Sequence, residues 1–305
     1  MSRDLDAVVV GAVGIDTNVF LPGADINFTV ESNFTQNLDC VGQAGGYSAR
    51  LFAALGHKSA LYAAVGDDFF GHEIRRVLQL DGIETHFFLD TAGTNRSVNI
   101  MGTDGKRKNF YDAKSAMELR ADPVLARALF QRARIAHFSI QNWCRFLLPI
   151  AKESGCLISV DLQDVVDPFD SYRQDFVEAA DVVLFSTANV ADPIMVAHHY
   201  LKGNPDRLVI LGKGNQGCEL VTSSGSVAFP AILQGLPVID TNGAGDSLAV
   251  GFLVSNILDG YSLNDSLQRG QIVARHTCTL KGTSDGLLSK QALNERFLQL
   301  TNLLT

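Results

Sequence analysis

The sequence predicts an α/β protein built on a doubly wound, mostly parallel β-sheet flanked by helices, with a second, small β-sheet. Short apolar runs alternate with helical patterns over most of the 305 residues, which is typical of a parallel sheet buried on both faces. Hydrophobic residues make up 46% of the chain and charged residues only 19%, so enough apolar surface is present to cover such a sheet. No internal repeat, low-complexity segment or linker divides the sequence, and we therefore expect residues 1–305 to form a single domain.

The individual elements follow from the hydrophobic pattern. Near-continuous apolar runs predict strands at residues 7–13, 60–65, 135–140, 157–162, 182–185 and 208–211. Apolar residues at helical spacing predict crossover helices at residues 49–55, 70–80, 124–132, 145–153 and 191–201. A hairpin of residues 218–221 and 226–229 is expected to belong to the main domain.

Two segments break this alternation and predict the small sheet. Residues 17–40 are polar, rich in Gly, Asn and Thr, and too alternating for a helix. Residues 96–111 contain two alternating runs on either side of Asp104-Gly105, which is a strong hairpin signal. We expect these segments, with boundaries near 16–40 and 96–111, to pair into a sheet that stands off the main domain.

The most informative motif is the run from Asp240 to Asp246, which reads Asp-Thr-Asn-Gly-Ala-Gly-Asp. Residues 236–239 before it are expected to end a strand, and residues 247–258 after it have the apolar spacing of a helix. Two glycines at such a turn let backbone N–H groups point together at a helix N-terminus, which forms an anion hole. A carboxylate at Asp246 is suited to take a proton from a hydroxyl that attacks a bound phosphoryl group. The alternative is that Asp246 only caps the helix.

This motif resembles the signature of the ribokinase family, also called the phosphofructokinase B family of carbohydrate kinases. The resemblance implies that Asp246 is the catalytic base, that Gly243, Ala244 and Gly245 form the anion hole, and that ATP and Mg²⁺ are used. The resemblance also implies that the two irregular segments form a β-sheet lid. It therefore covers essentially the full length of the chain.

Further site residues are predicted on both sides of this signature. For the substrate they are Asp16, Gly45, Gly46, Gln141 and Asn142, and for the nucleotide they are Lys213, Gly214, Gly217 and Asn242. Asp16 follows the first strand, and its carboxylate can accept hydrogen bonds from a polyol; the alternative is an Asp that closes a turn. The double glycine matches a family motif that lies against the sugar; the alternative is that these glycines only permit tight helix–sheet packing. The Gly-rich turn after the strand at 208–211 matches a family turn that lies under ATP.

The chain departs from the family pattern at two places. The family usually has Asn where this sequence has Arg50. It also carries Asn-x-x-Glu, which is associated with Mg²⁺ and phosphate, where residues 186–189 read Ser-Thr-Ala-Asn. Either Mg²⁺ rests on ATP phosphates and water, with Asn189 or Asp192 assisting, or turnover is slow.

The resemblance further implies a monovalent cation beside the anion hole. In many family members K⁺ is held by the Asp that opens the signature and by carbonyls of a late loop. The matching residues here are Asp240, Thr277, Leu280 and Gly282.

Composition and charge exclude several partner classes. The formal net charge of −8 argues against nucleic acid and against an anionic membrane surface, and no apolar run is long enough to span a membrane. The five cysteines are scattered and lack metal-binding spacing, as expected for reduced thiols in the cytoplasm. The open edges of a small lid sheet favour a homodimer, with Val19, Phe20, Phe28 and Ile100 as interface residues.

The predicted function is an ATP-dependent kinase that phosphorylates a sugar hydroxyl. The alternatives are a nucleoside kinase and a ligand-binding protein that kept the fold but lost efficient catalysis. A neutral sugar or riboside is expected as substrate, because the basic residues Arg96, Lys106, Arg107 and Lys108 are interpreted as a solvated hairpin tip.

Overall fold

A computed structural model describes residues 3–232, 235, 237–282 and 285–304. The strands are β1 (Leu5–Val10), β2 (Gly14–Phe20), β3 (Gln36–Gly42), β4 (Ser59–Val65), β5 (Glu84–Leu89), β6 (Asn95–Met101), β7 (Arg107–Asp112), β8 (Ala133–Ser139), β9 (Leu157–Asp164), β10 (Val182–Ser186), β11 (Leu208–Gly212), β12 (Cys218–Thr222) and β13 (Gly225–Phe229). The α-helices are α1 (Gln43–Ala54), α2 (Phe69–Leu80), α3 (Pro123–Arg132), α4 (Leu148–Glu153), α5 (Ser171–Ala179), α6 (Pro193–Leu201), α7 (Ala244–Leu253), α8 (Leu263–Thr277) and α9 (Lys290–Leu304).

The large sheet has nine strands in the order β13-β12-β11-β10-β9-β8-β1-β4-β5. From β11 to β5 all neighbours are parallel, and the predicted hairpin β12–β13 extends the sheet in antiparallel fashion. The carboxyl ends of the parallel strands therefore lie along one edge, where ligands bind in open α/β sheets.

Helices cover both faces of this sheet, as the apolar strands require. Every position of β4 is buried, because one face packs on each layer of helices. One hydrophobic core contains α3, α4, α5 and α6, and the other contains α1, α2, α7, α8 and α9. The predicted doubly wound arrangement is confirmed, and no described helix is long and apolar enough to span a bilayer.

The small sheet has four strands in the order β3-β2-β6-β7. β2 pairs parallel with β6, and the outer pairs β2–β3 and β6–β7 are antiparallel. Only the ends of the segment 17–40 are strand, since residues 21–35 form a loop that is mostly exposed. All four strands come from the first 112 residues, whereas the Gly-rich turns at residues 214–217 and 243–245 lie after residue 212.

Two predictions about local structure were wrong. Residues 237–239 are not a strand, and Leu236 lies outside the described residues. The amides of Ile239 and Asp240 both donate to the carbonyl of Cys278 in the loop after α8, over 2.8 and 3.4 Å. The first strand ends at Val10 instead of residue 13, because the chain crosses at 11–13 into the small sheet. Asp16 consequently lies in β2.

Candidate active site

The turn before α7 has the geometry of an anion hole. Gly243 is the N-cap of α7 and has a φ of 71°, a left-handed conformation that glycine adopts without strain. Among the described hydrogen bonds, the amides of Gly243 and Gly245 have no acceptor. The amide of Asn242 donates to Asp240 Oδ1 over 2.7 Å, and that of Ala244 donates to the Thr241 carbonyl. The open donors are thus fewer than the whole predicted run, and they sit at a helix N-terminus that favours anions.

Two carboxylates lie below this turn. Asp246 is in the first turn of α7, and its Oδ1 is buried without a hydrogen-bond partner in the described structure. Asp161 in β9 is also buried, and an ideal Cβ on Gly245 would lie 4.0 Å from its Oδ2. Burial, with the negative charge of Asp161, raises the pKa of Asp246 well above its ordinary range. Burial also raises the pKa of Asp161, to about 6.

Asp161 was not predicted as a site residue from the sequence. A signal was present, because Asp161 is the single charged residue within the otherwise apolar run 157–162. A charge inside a strand buried on both faces needs a reason. The structure gives one, because Asp161 in β9 lies below the N-terminus of α7, with its Oδ2 4.0 Å from an ideal Cβ on Gly245.

We expect Asp161→Asn to move the acid limb of the pH–kcat/KM profile to lower pH, because it removes the negative charge that raises the pKa of Asp246. The groups that act on Asp246 are Asp161 and Asp16, which raise its pKa, and Arg107, which lowers it. Titration of sugar-dependent turnover between pH 4 and 9 measures the shift. An unchanged acid limb would contradict the coupling of the two carboxylates.

The same variant also tests stability. A carboxyl whose pKa is raised in the folded state binds its proton more tightly there than in the unfolded state, so the free energy of unfolding decreases as that proton is lost. For Asp161 this decrease falls between about pH 4, the pKa in the unfolded chain, and about pH 6, the pKa in the folded protein. Asp161→Asn should therefore raise Tm at pH 7 and flatten this part of the stability curve.

Asp16 lies at the centre of a buried polar cluster on the sugar side. Its Oδ2 accepts hydrogen bonds from the Tyr47 hydroxyl over 2.5 Å, the backbone N–H of Gln43 over 3.2 Å and Asn242 Nδ2 over 3.3 Å. Burial raises the pKa of Asp16, and these donors lower it in part. Asn242 was assigned to the nucleotide from the sequence, but its side chain lies against Asp16 and Tyr47. It therefore joins the sugar side to the anion-hole turn.

The double glycine allows α1 to approach the start of the small sheet. The amides of Gly45 and Gly46 both donate to the Ala12 carbonyl. A Cβ on Gly45 would come within 2.7 Å of that oxygen, so close packing explains this glycine. Arg50, where the family has Asn, is buried and forms an ion pair with Asp81 over 2.5 Å.

Gln141 and Asn142 lie just after β8. The Tyr111 hydroxyl, on β7, is 3.5 Å from Gln141 Oε1, so Gln141 lies at the small sheet. Asn142 instead donates to the Met117 carbonyl over 2.7 Å. Gln141 is therefore the better placed of the two predicted substrate amides.

The basic hairpin residues divide into two groups. Lys106 has a side chain 88% exposed and pairs with Asp104, as predicted for a solvated tip. Arg96 donates to Thr17 Oγ1 and lies over the ring of Phe70. Arg107 departs from the solvated-tip interpretation, because its Nη1 donates to Asn242 Oδ1 over 2.5 Å. The side chain is long enough to cross from the small sheet to the turn.

The predicted nucleotide turn follows β11 on the other side of the anion hole. Lys213 pairs with Glu219 over 3.1 Å. Gly214 and Gly217 both have positive φ, of 56° and 98°, and a Cβ on Gly217 would lie 2.1 Å from the Phe229 carbonyl oxygen. At the ends of the neighbouring strands, Asn189 donates to Asp164 Oδ2 over 2.7 Å.

The residues predicted to hold a monovalent cation lie close together. Asp240 is buried, and its Oδ1 accepts from the Asn242 amide. Burial raises the pKa of Asp240, while the amides of Asn242 and Gly282 lower it. The Thr277 carbonyl already accepts from Leu280, and the ammonium of Lys281 lies over the Phe20 ring. A carboxylate facing a loop of carbonyls is the donor type that an alkali cation takes.

Comparisons with known proteins identify the family. The model of the pfkB family of carbohydrate kinases matches residues 6–290. The chain belongs to this family. It is similar to the acarbose 7(IV)-phosphotransferase of Actinoplanes sp., with 28% identity over 296 residues that cover 96% of this chain and 98% of the relative. It is also similar to the fructokinase of Solanum tuberosum, with 30% identity over 254 residues and 77% of each chain covered.

Solved structures agree with this assignment. A microbiome-derived acarbose kinase superposes with a TM-score of 0.89 at 30% identity, covering 96% of this chain and 99% of its own. The Arabidopsis thaliana ribokinase complexed with ribose and ATP gives a TM-score of 0.79 at 16% identity, with 97% and 99% covered, and shows the common fold. The predicted family, fold and carbohydrate kinase activity are confirmed. This pfkB-family kinase transfers a phosphoryl group from ATP to a hydroxyl of a sugar.

Proposed function

We propose that this kinase phosphorylates an uncharged saccharide, with Asp246 as the general base and the turn at Gly243–Gly245 as the anion hole. The observation that carries the proposal is that a buried oxygen of Asp246 without a described hydrogen-bond partner lies close in the chain to the open backbone N–H groups of Gly243 and Gly245. The oxygen can accept a proton, and the amides can donate hydrogen bonds that stabilise negative charge. Phosphoryl transfer to an alcohol needs both.

The reaction proceeds by attack of the sugar hydroxyl oxygen on the γ-phosphorus of ATP. The new O–P bond forms as the bond from the γ-phosphorus to the β,γ-bridging oxygen breaks, and that electron pair leaves on ADP. The hydroxyl proton passes to Asp246, while the amides of Gly243 and Gly245 stabilise the charge on the transferring group. Asp16 and Gln141 orient the sugar, and the turn at Lys213–Gly217 holds the nucleotide.

Mg²⁺ bound to the nucleotide would neutralise charge on the β- and γ-phosphates. The described residues include no group of three or more acidic, His or Cys side chains that could hold a metal ion. Asn189 is hydrogen bonded to Asp164, and Asp192 caps α6 by accepting from the Met195 amide. The donor set therefore fits a Mg²⁺ that is held mainly by phosphates and water, with these side chains as outer partners.

The cations around the site support an uncharged substrate. Arg50 is paired with Asp81 and Arg96 is held by Thr17 and Phe70, while Arg107 lies at the anion-hole turn, where it donates to Asn242. A phosphosugar would bring a dianion beside the carboxylate of Asp16, which would oppose its binding. Acarbose is the first saccharide to test, since the two acarbose kinases match 96% of this chain.

The experiment is a comparison of ATP-dependent turnover with acarbose, fructose, fructose 6-phosphate and adenosine. We expect acarbose or fructose to have a kcat/KM at least about 10-fold above that of fructose 6-phosphate, a difference of about 1.4 kcal/mol in transition-state binding. The Arg96→Ala variant serves as a control. A strong preference for fructose 6-phosphate that Arg96→Ala selectively abolishes would contradict the proposal, and a preference for adenosine would favour a nucleoside kinase.

We also propose that K⁺ binds between Asp240 and the loop 277–282. Because Lys281 points to Phe20 and Gln36, its ammonium does not supply this positive charge. Turnover should be higher in K⁺ than in Na⁺ buffer, and Asp240→Asn should remove the difference. Equal rates of the wild-type protein in the two buffers would count against the site.

The outer face of the small sheet remains the proposed surface for a homodimer. Val19 and Ile100 pair across β2 and β6 and lie on the face opposite Asp16. Phe20 is on the inner face, where its ring contacts Lys281, and it is therefore removed from the expected interface. Phe28 is 86% exposed in the loop after β2.

The five cysteines form no disulfide, which supports the proposed reducing, cytoplasmic location.

A further inference from the structure

Arg107 crosses from the small sheet to the anion-hole turn. Its Nη1 donates to Oδ1 of Asn242, the residue directly before Gly243. The neighbouring Lys106 turns outward to Asp104, and Lys108 lies on the opposite face of β7 because side chains alternate along a strand. Arg107 is thus the cation of this hairpin that reaches the site.

The charges around the turn give this cation a function. The carboxylates of Asp16, Asp161, Asp240 and Asp246 are gathered there, and the guanidinium of Arg107 lowers the pKa of both Asp240 and Asp246. An incoming γ-phosphoryl group adds more negative charge in a partly buried site, where repulsion is weakly screened. Amide donors alone carry only partial positive charge.

The hydrogen bonding of Arg107 leaves it able to bind a second group. A guanidinium has five N–H donors, and Arg107 has one described hydrogen bond, to Asn242. The acceptor in that bond is a neutral amide oxygen. A phosphoryl oxygen is a stronger acceptor because charge-assisted hydrogen bonds are roughly twice as strong as neutral ones.

We propose that Arg107 is a further catalytic residue, whose guanidinium donates to the transferring γ-phosphoryl group and has Asn242 as its partner before that group binds. This inference rests on the proposed function of the turn at Gly243–Gly245. It makes the small sheet part of the chemistry, since the sheet brings a positive charge to the reacting phosphorus.

The test compares Arg107→Gln and Arg107→Lys with Lys108→Gln, a matched control on the same strand. We expect Arg107→Gln to lower kcat by about 10²-fold, the loss typical of one preorganised donor to developing charge, with little change in the KM of the sugar. Arg107→Lys should fall between, because it keeps the charge but loses the fork of donors. Lys108→Gln should behave as wild type.

An equilibrium measurement separates this role from a structural one. ADP with aluminium fluoride and the sugar imitates the transferring phosphoryl group, and Arg107→Gln should weaken this complex by about 10²-fold while binding ADP alone as wild type does. An unchanged kcat, an equal loss of ADP affinity, or a loss confined to phosphorylated sugars would overturn the proposal. Failure of the proposed base would appear instead as an active Asp246→Asn variant that still depends on Arg107, so the two failures are distinguishable.

Discussion

Asp246→Asn is expected to lower turnover by at least about 10²-fold, because an amide cannot accept the proton of the attacking hydroxyl. The substitution keeps the shape of the side chain and removes a buried charge whose pKa is already raised. The fold and ATP affinity should therefore persist. Steady-state kinetics with the best sugar, together with ATP binding by calorimetry, measure both effects.

Asp161→Asn is the matched control for this variant, since it removes a neighbouring buried carboxylate that lies below the same turn. It should shift the pH profile while keeping most of the turnover at neutral pH. Near wild-type turnover of Asp246→Asn across the pH range would sink the assignment of Asp246 as the base.

Gly245→Val is expected to reduce turnover by at least about 10²-fold, the scale of losing an anion-hole donor. The turn itself should be preserved, because Gly245 does not have a positive φ and the one described atom that an added Cβ would meet within 4 Å is Asp161 Oδ2, at 4.0 Å. The side chain would instead fill the open space between the turn and Asp161, beside the amides where the phosphoryl group is proposed to bind.

Gly217→Val provides the contrasting control, because a Cβ there would lie 2.1 Å from a carbonyl oxygen and φ is 98°. We expect Gly217→Val to lose stability and Gly245→Val to keep it, as measured by Tm. An active Gly245→Val protein would show that the phosphoryl group does not bind at this turn.

The fold and the geometry of the signature turn were predictable because both depend on local patterns. Apolar runs buried on two faces define β4 and β9, and a helix N-terminus after Gly-Ala-Gly makes an anion site whatever surrounds it. The edge strand β5 was missed, because its residues are only half buried and carry no continuous apolar run.

The partners of individual polar residues were not predictable, because they depend on segments far apart in the chain. Asn242 and Arg107 are 135 positions apart, and their hydrogen bond needs both the small sheet and the turn to be in place. Asp161 faces Asp246 only because β9 ends below α7. No local pattern distinguishes Arg107, which reaches the site, from Lys106, which does not.

The position of the two halves of the site along the chain has an evolutionary consequence. The small sheet with Asp16 is encoded before residue 113, while the Gly-rich turns that are proposed to face the phosphates are encoded after residue 212. Substitutions and length changes in this first segment that keep Arg107 in place can therefore alter which acceptor is recognised without altering the donor chemistry. A family organised in this way can exchange one acceptor for another by drift in a single gene segment. The contact between Arg107 and Asn242 is then a point where both segments must remain compatible.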